Sequence, residues 1–237
     1  MTHRLMMGPY CMYVSDTHSF NMDALLLAAF AAAGKPAAAA VDLCCGSGAV
    51  ALGLLWRGAA DCVTGVELQP EAADLLRRTA EKNGLGARLH VVQGDIRAPL
   101  PLPPGQAELV ACNPPFRERH AAKHSSDTAR ATARGELSCT MEDAVRCAAG
   151  LLKPSGRLVL CQRPARLPDC LQLMRQYGLE PKRLRFAAYD TEKPPWLFLI
   201  EAVKGGGKQL TVEPCFYVMD QNEHSAAYDA LYEGERQ

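Results

Sequence analysis

A chain of 237 residues, 48% of them hydrophobic, can bury one sizeable core, and Lys/Arg and Asp/Glu balance at 26 each. Zero net charge gives no global pull toward nucleic acid, and no apolar run is long enough for a membrane span or a secretory leader. Ten cysteines contain no Cys-x-x-Cys pair, and adjacent Cys44-Cys45 suits neither a bridge nor a metal clip. They read as reduced small hydrophobes, mostly buried, in a soluble cytoplasmic protein with no metal site.

In chain order, residues 1–17 show no clear period and allow a short strand or hairpin around Tyr10–Val14. Ala24–Ala33 is strongly helical, with Ser19 or Asn21 as cap and Gly34 and Pro36 as stop. Ala38–Leu43 is a short buried strand. Cys44-Cys45-Gly46-Ser47-Gly48 forms a turn that opens a helix over Ala49–Arg57. Cys62–Val66 is the next strand, ending at Glu67. Pro70–Asn83 is a helix with proline in its first turn and Asn83-Gly84 at its stop. Leu89–Val92 is a third strand, followed by Gly94-Asp95. Pro99–Pro104 is a surface loop, and Ala107–Cys112 reads as a fourth strand.

Arg117–Gly135 is long, polar and aperiodic, a candidate lid. Thr140–Leu152 is a helix, Arg157–Cys161 a strand and Leu167–Tyr177 a helix. Leu184–Ala188 and Trp196–Val203 form a hairpin-like pair. Gly205-Gly206-Gly207 is a flexible break, and the tail over Gln209–Met219 can add an extended segment. We expect a single domain over 1–237: an N-terminal segment 1–37, a core 38–204 and a flexible tail 205–237. Strands alternating with helices give an α/β fold, a doubly wound, mostly parallel sheet. Ligands of such sheets sit beyond the carboxyl ends of the strands. Asp42 with Gly46 and Gly48, Glu67, Asp95 and Asn113 all fall at such ends.

The glycine turn lets a ligand approach the backbone, and the helix behind it offers free N–H groups. Glu67, about twenty residues on, stands where a carboxylate takes ribose hydroxyls. Gly46-x-Gly48-x-x-Ala51 also fits a loose dinucleotide fingerprint. Asp42 beside the turn would repel a pyrophosphate but attract an ammonium or sulfonium. Asp95 suits an adenine amine, and either acid can equally cap a turn. Cys112-Asn113-Pro114-Pro115-Phe116 is a rigid strand exit: both prolines stop the ladder, and the first holds Asn113 extended. It is either a turn closing the strand or a slot in which a carboxamide oxygen, a carbonyl and an aromatic face hold a planar NH2 group.

Charge is uneven along the chain. Residues 151–208 carry eleven Lys/Arg against five Asp/Glu, and 116–134 carry five against two. Each stretch is either a polyanion-binding face or a solvated one.

Asp42-Leu43-Cys44-Cys45-Gly46-Ser47-Gly48, Gly65-Val66-Glu67, Gly94-Asp95-Ile96 and Asn113-Pro114-Pro115-Phe116 resemble the ordered motifs of class I S-adenosylmethionine-dependent methyltransferases of the N6-adenine type. Residues 20–27, 152–157, 163–167, 180–185 and 203–206 are similar to the tRNA(Val) (adenine-N6)-methyltransferase family. The resemblance implies a Rossmann-like, seven-stranded sheet with helices on both faces. It implies S-adenosylmethionine at Asp42, Gly46, Gly48, Glu67, Leu68, Asp95, Ile96 and Asn113, with Asn113, Pro114, Pro115 and Phe116 as the catalytic segment. It further implies an RNA partner, with adenosine 37 of a valine tRNA as acceptor. Phe116 stands where the family has tyrosine, which keeps stacking and loses a hydroxyl; Gly135 stands where the family often has histidine. A protein glutamine amide, or adenine in ribosomal RNA or DNA, is an alternative acceptor. A non-catalytic module binding S-adenosylmethionine and RNA is a further alternative.

Overall fold

The computed structural model describes residues 2–114, 139–221 and 223–232. The candidate lid at 117–135, with Pro115 and Phe116, lies outside them. β1 (Thr2–Met7) and β2 (Tyr10–Ser15) form an antiparallel hairpin. α1 (Met22–Ala32) is rich in alanine and leucine, both strong helix formers, and is buried over most of its length. The alternating core follows: β3 (Ala37–Leu43), α2 (Ala49–Trp56), β4 (Ala60–Glu67), α3 (Pro70–Lys82), β5 (Leu89–Gln93) and β6 (Ala107–Cys112). After the undescribed segment come α4 (Met141–Leu151), β7 (Leu152–Gln162), a short 3-10 turn (Pro164–Arg166), α5 (Leu167–Gln176), β8 (Leu179–Ala188) and β9 (Leu197–Lys204). The chain continues through β10 (Thr211–Val212), β11 (Phe216–Tyr217), β12 (Met219–Asp220), β13 (Glu223–His224) and α6 (Ala226–Tyr232).

Local chemistry accounts for the helices around the site. α3 begins on Pro70 and buries Ala72, Ala73, Leu75, Leu76, Thr79 and Ala80, one face at helical spacing. α4 starts in a capping box: Asp143 N donates to Thr140 Oγ1 at 3.1 Å, and Thr140 N donates to the Asp143 carboxylate at 3.0 Å.

The central sheet runs β10-β8-β9-β7-β6-β3-β4-β5, with β11 also on β8. β7, β6, β3, β4 and β5 are parallel, and β9 is antiparallel to both β7 and β8. Among the described residues the sheet has nine strands, where seven were expected. The two extra strands are β10 and β11, drawn from the segment expected as a flexible tail. Each is two residues long, too short to show a period in sequence. They are tied down by burial of Phe216 and by ion pairs from Arg183 and Arg185 to Glu213.

β7 and β8 also start earlier than their apolar runs, at Leu152 and Leu179. The polar residues that hide the start of β8 pair across the sheet and with the tail. Alternation sends residues to opposite faces. Ala40, Leu109, Ala111, Val159 and Cys161 join the core under α1, α2 and α3. Val41, Leu43, Val110, Cys112, Leu158 and Leu160 join the core under α4 and α5. Helices therefore cover both faces, as expected.

Candidate active site

Strand register builds the site. Leu160, Cys112, Leu43, Val66 and Val92 lie side by side across five parallel strands. The next residue of each strand, Cys161, Asn113, Cys44, Glu67 and Gln93, stands on the carboxyl rim. A cavity of about 370 Å³ opens at this rim, lined among others by Asn21, Cys44, Gly46, Ser47, Asn113 and Pro114. That volume lies within the range of small-molecule sites, about 300–1,000 Å³.

The glycine turn is built from beneath by carboxylates. Glu67 is 6% exposed; its Oε2 accepts from Gly46 N and its Oε1 from Gln69 N, both at 2.8 Å. Asp42 is 1% exposed, and its Oδ2 accepts from Ala51 N at 2.9 Å, satisfying a first-turn N–H of α2. The Asp42 carboxylate is thus tucked under the helix and does not face the cavity. Its Oδ1 is buried and has no hydrogen-bond partner among the described residues. Burial, against the Ala51 bond and aided by the charge of Glu67, pushes its pKa up to about 8.

Gly46 and Gly48 both adopt positive φ, +55° and +94°. Among the described residues, a Cβ on Gly46 would meet no atom within 4 Å, whereas one on Gly48 would lie 2.2 Å from Leu76 Cδ1. Gly46 leaves room for a ligand, and Gly48 leaves room for α3.

Asn113 is half-buried on the cavity wall, with buried Pro114 beside it. Cys161 Sγ donates to Asn113 Oδ1 at 3.2 Å. Cys44 Sγ lies 3.1 Å from Cys139 Sγ at the entry to α4. Hydrogen bonding to Cys112 and then burial hold the Cys44 thiol well above its ordinary range, and hydrogen bonding to Cys44 does the same for Cys139. All ten cysteines are free thiols, four of them buried and six half-buried. Among the described residues no cluster of His, Cys, Asp or Glu could hold a metal ion.

Leu68 is half-buried directly after Glu67, and Ile96 is buried behind β5. Asp95 does not line the cavity. Arg97 grips both its oxygens, at 2.7–3.0 Å from Nε and Nη2, and holds its carboxyl below the usual range. The reading of single residues assigned no part in the site to Asp23, Trp196 or Cys161, and took Asn21 only as a candidate helix cap. Asp23 is 4% exposed, takes Trp196 Nε1–H at 3.0 Å and accepts from Asn21 Nδ2 at 3.1 Å, steadying Asn21 at the cavity. Polar Ser19 and Asn21 just before an apolar helix were the available signal. Cys161 gave none, because cysteine in an apolar strand reads as a small hydrophobe.

Part of the basic stretch 151–208 is taken up by partners within the fold. Arg157 and Arg183 bind Glu201, Arg183 and Arg185 bind Glu213, Lys153 binds Glu108, and Lys204 binds two backbone carbonyls. No described helix is long and apolar enough to cross a membrane.

The sequence profile of the methyltransferase small domain matches residues 16–176. The chain belongs to that family. It is an S-adenosylmethionine-dependent methyltransferase. A tRNA1(Val) (adenine(37)-N6)-methyltransferase of Porphyromonas gingivalis is 32% identical to it over 185 residues, 76% of this chain and 72% of the relative. A 4-amino-L-phenylalanine/4-methylamino-L-phenylalanine methyltransferase of Streptomyces pristinaespiralis is 35% identical over 75% of this chain and 62% of the relative. The crystal structure of a protein described as a predicted O-methyltransferase from Agrobacterium tumefaciens superposes with a TM-score of 0.71. It covers 90% of this chain and 97% of that one at 22% identity, a likeness of fold.

Proposed function

We propose that this methyltransferase acts on the exocyclic amine of adenosine in RNA, with adenosine 37 of a valine tRNA as the acceptor. The observation that carries the reading is Asn113-Pro114 at the end of β6, on the wall of the cavity that the glycine turn opens. The tRNA-modifying relative, which spans most of this chain, supports the choice of base.

S-adenosylmethionine fits the residues present: a turn with a vacant Cβ position at Gly46, a helix N-terminus, and carboxylates beneath and beside them. When bound it supplies an electrophilic methyl group on a sulfonium. Gly46, Glu67, Leu68 and Asn113 are the residues we assign to hold it; Gly48 sets the turn against α3, and Asp95 and Ile96, off the cavity wall, frame its β5 side. Asp42 belongs to the same set by shaping the turn from below.

An adenine amine is a poor nucleophile because its lone pair is delocalised into the ring. Asn113 Oδ1 and the Pro114 carbonyl accept its two N–H groups, which favours a pyramidal nitrogen and stabilises positive charge as it develops there. Phe116 stacks on the base, a contact of about 1–3 kcal/mol on the scale of single-strand recognition. An anticodon-loop purine reaches such a slot at lower cost than a base in a duplex.

Purified protein, labelled S-adenosylmethionine and total tRNA test this reading, with identification of the methylated nucleoside. N6-methyladenosine from the tRNA is expected, and label only in DNA, ribosomal RNA or protein fractions would refute it. Asn113→Ala should lower turnover about a hundred- to a thousandfold, the scale for losing one preorganised polar contact in a transition state. Its affinity for S-adenosylmethionine, measured by titration calorimetry, should change far less.

The relative that methylates 4-amino-L-phenylalanine favours a second reading, a small aromatic amine. Aniline and adenine amines share a lone pair conjugated to a ring, so Asn113 serves either. 4-Amino-L-phenylalanine belongs in the same assay as a competing acceptor.

A further inference from the structure

Asn113 and Cys161 are neighbours by register. Cys112 of β6 pairs with Leu160 of β7, so the next residue on each strand sits side by side on the rim. Both then face the α1 side of the sheet, the side on which Asn21 and Ala24 line the cavity. Cys161 is fully buried, and its Sγ lies 3.2 Å from Asn113 Oδ1. Its antiparallel neighbour on β9 is apolar Leu199.

We propose that Cys161 is a positioning residue: its thiol fixes the rotation of the Asn113 carboxamide, so that the oxygen and not the NH2 group meets the acceptor amine. This rests on the reading of Asn113 given above.

A carboxamide has two ends of nearly the same shape, and its terminal torsion is broad and roughly two-fold. An acceptor amine also carries N–H donors. The wrong rotation would set donor against donor at the one atom that must react. The Cys161 thiol donates to the oxygen, and its sulfur is only a weak acceptor for the NH2 end. Burial keeps the proton on sulfur here, raising the Cys161 thiol well above its ordinary range; the charges of Asp23 and Asp42 act in the same direction, and that of Arg163 opposes them. An sp² oxygen accepts two hydrogen bonds, so the thiol occupies one lone pair and the other remains for the amine.

The test compares wild type with Cys161→Ala and Cys161→Ser, using labelled S-adenosylmethionine with total tRNA and, in parallel, 4-amino-L-phenylalanine. Wild type that turns over neither acceptor defeats the acceptor reading and leaves the positioning claim to the spectroscopic arm below. With either acceptor active, Cys161→Ala should lower kcat about tenfold, the scale of one net hydrogen bond. KM for S-adenosylmethionine should stay within about twofold, because the thiol touches Asn113 and not the turn. Cys161→Ser keeps a donor and should recover most of the loss. Unchanged kcat in Cys161→Ala, or a serine variant no better than alanine, overturns the proposal.

The S–H stretch of Cys161, isolated by infrared difference against Cys161→Ala, supplies a readout free of any acceptor. Where that variant does not fold, Cys161→Ser serves as the reference. The band should move to higher frequency in Asn113→Ala as the hydrogen bond is lost. A band that stays in place overturns the proposal whether or not the variants are active.

Discussion

Asp42 shows what one buried carboxylate does to a fold. In the unfolded chain its pKa is the ordinary 3.8, and in the folded chain burial raises it to about 8. The folded state therefore holds a proton that the unfolded state has released between those two values, and stability falls as pH rises across the interval. The contribution is fully present below about pH 4 and is lost as pH climbs through about 8. Asp42→Asn keeps an oxygen for the Ala51 N–H and removes the titration. Melting temperature in wild type should fall from about pH 5 to pH 8, and the asparagine variant should lose that slope. Equal slopes in the two proteins would mean that Asp42 is ionised in the fold. The carboxylate's place next to the glycine turn was legible in sequence, but its direction was not. Strand alternation says which face a side chain takes, not whether it reaches up to a ligand or down to a helix N–H.

At the level of elements, the turn between β3 and α2 separates two kinds of glycine. Gly48→Ala places a methyl 2.2 Å from Leu76 Cδ1, at a φ of +94°. Leu76 is fully buried on α3, so moving its side chain disturbs the packing around it. Backbone strain of about 1–2 kcal/mol and overpacking of about 1–3 kcal/mol add, and the variant should be broadly destabilised. Gly46→Ala carries the strain alone, because its Cβ meets nothing within 4 Å among the described residues. Its methyl instead occupies ligand space, since Gly46 lines the cavity. It should melt within a few degrees of wild type yet bind S-adenosylmethionine at least tenfold more weakly in a calorimetric titration. Loss of binding and stability in equal measure at both positions would contradict the distinction.

The turn and the parallel core strands could be read from apolar runs punctuated by glycine, because strands buried on both faces are nearly continuous hydrophobes. β8 could be read only in part, because Glu180, Lys182, Arg183 and Arg185 break its pattern. β10 and β11 could not be read at all, being two residues each.

Across the whole molecule, several of the charges in the basic stretch 151–208 join distant parts of the chain. Arg157 on β7 donates to Glu201 on β9 at 2.9 Å and to Ala31 O at the end of α1 at 3.0 Å. Arg183 on β8 bridges Glu201 and Glu213, so the same cluster reaches the C-terminal segment. Arg157 and Glu201 are 7% and 6% exposed. Removing one partner of such a pair strands the other as a buried charge, at a cost of about 3–5 kcal/mol. Glu201→Gln should therefore lower the urea midpoint strongly. Glu213→Gln should cost less, because Arg183 keeps Glu201. Arg157 lies four residues before Cys161 on β7, roughly 13 Å from the rim at strand rise. The Glu201 variant, assayed below its unfolding transition, should thus keep the kcat of wild type while losing stability. A kcat that falls with the urea midpoint would show that the ion cluster shapes the rim as well as the frame, and β7 would then carry strain from one end of the sheet to Cys161 and Asn113 at the other.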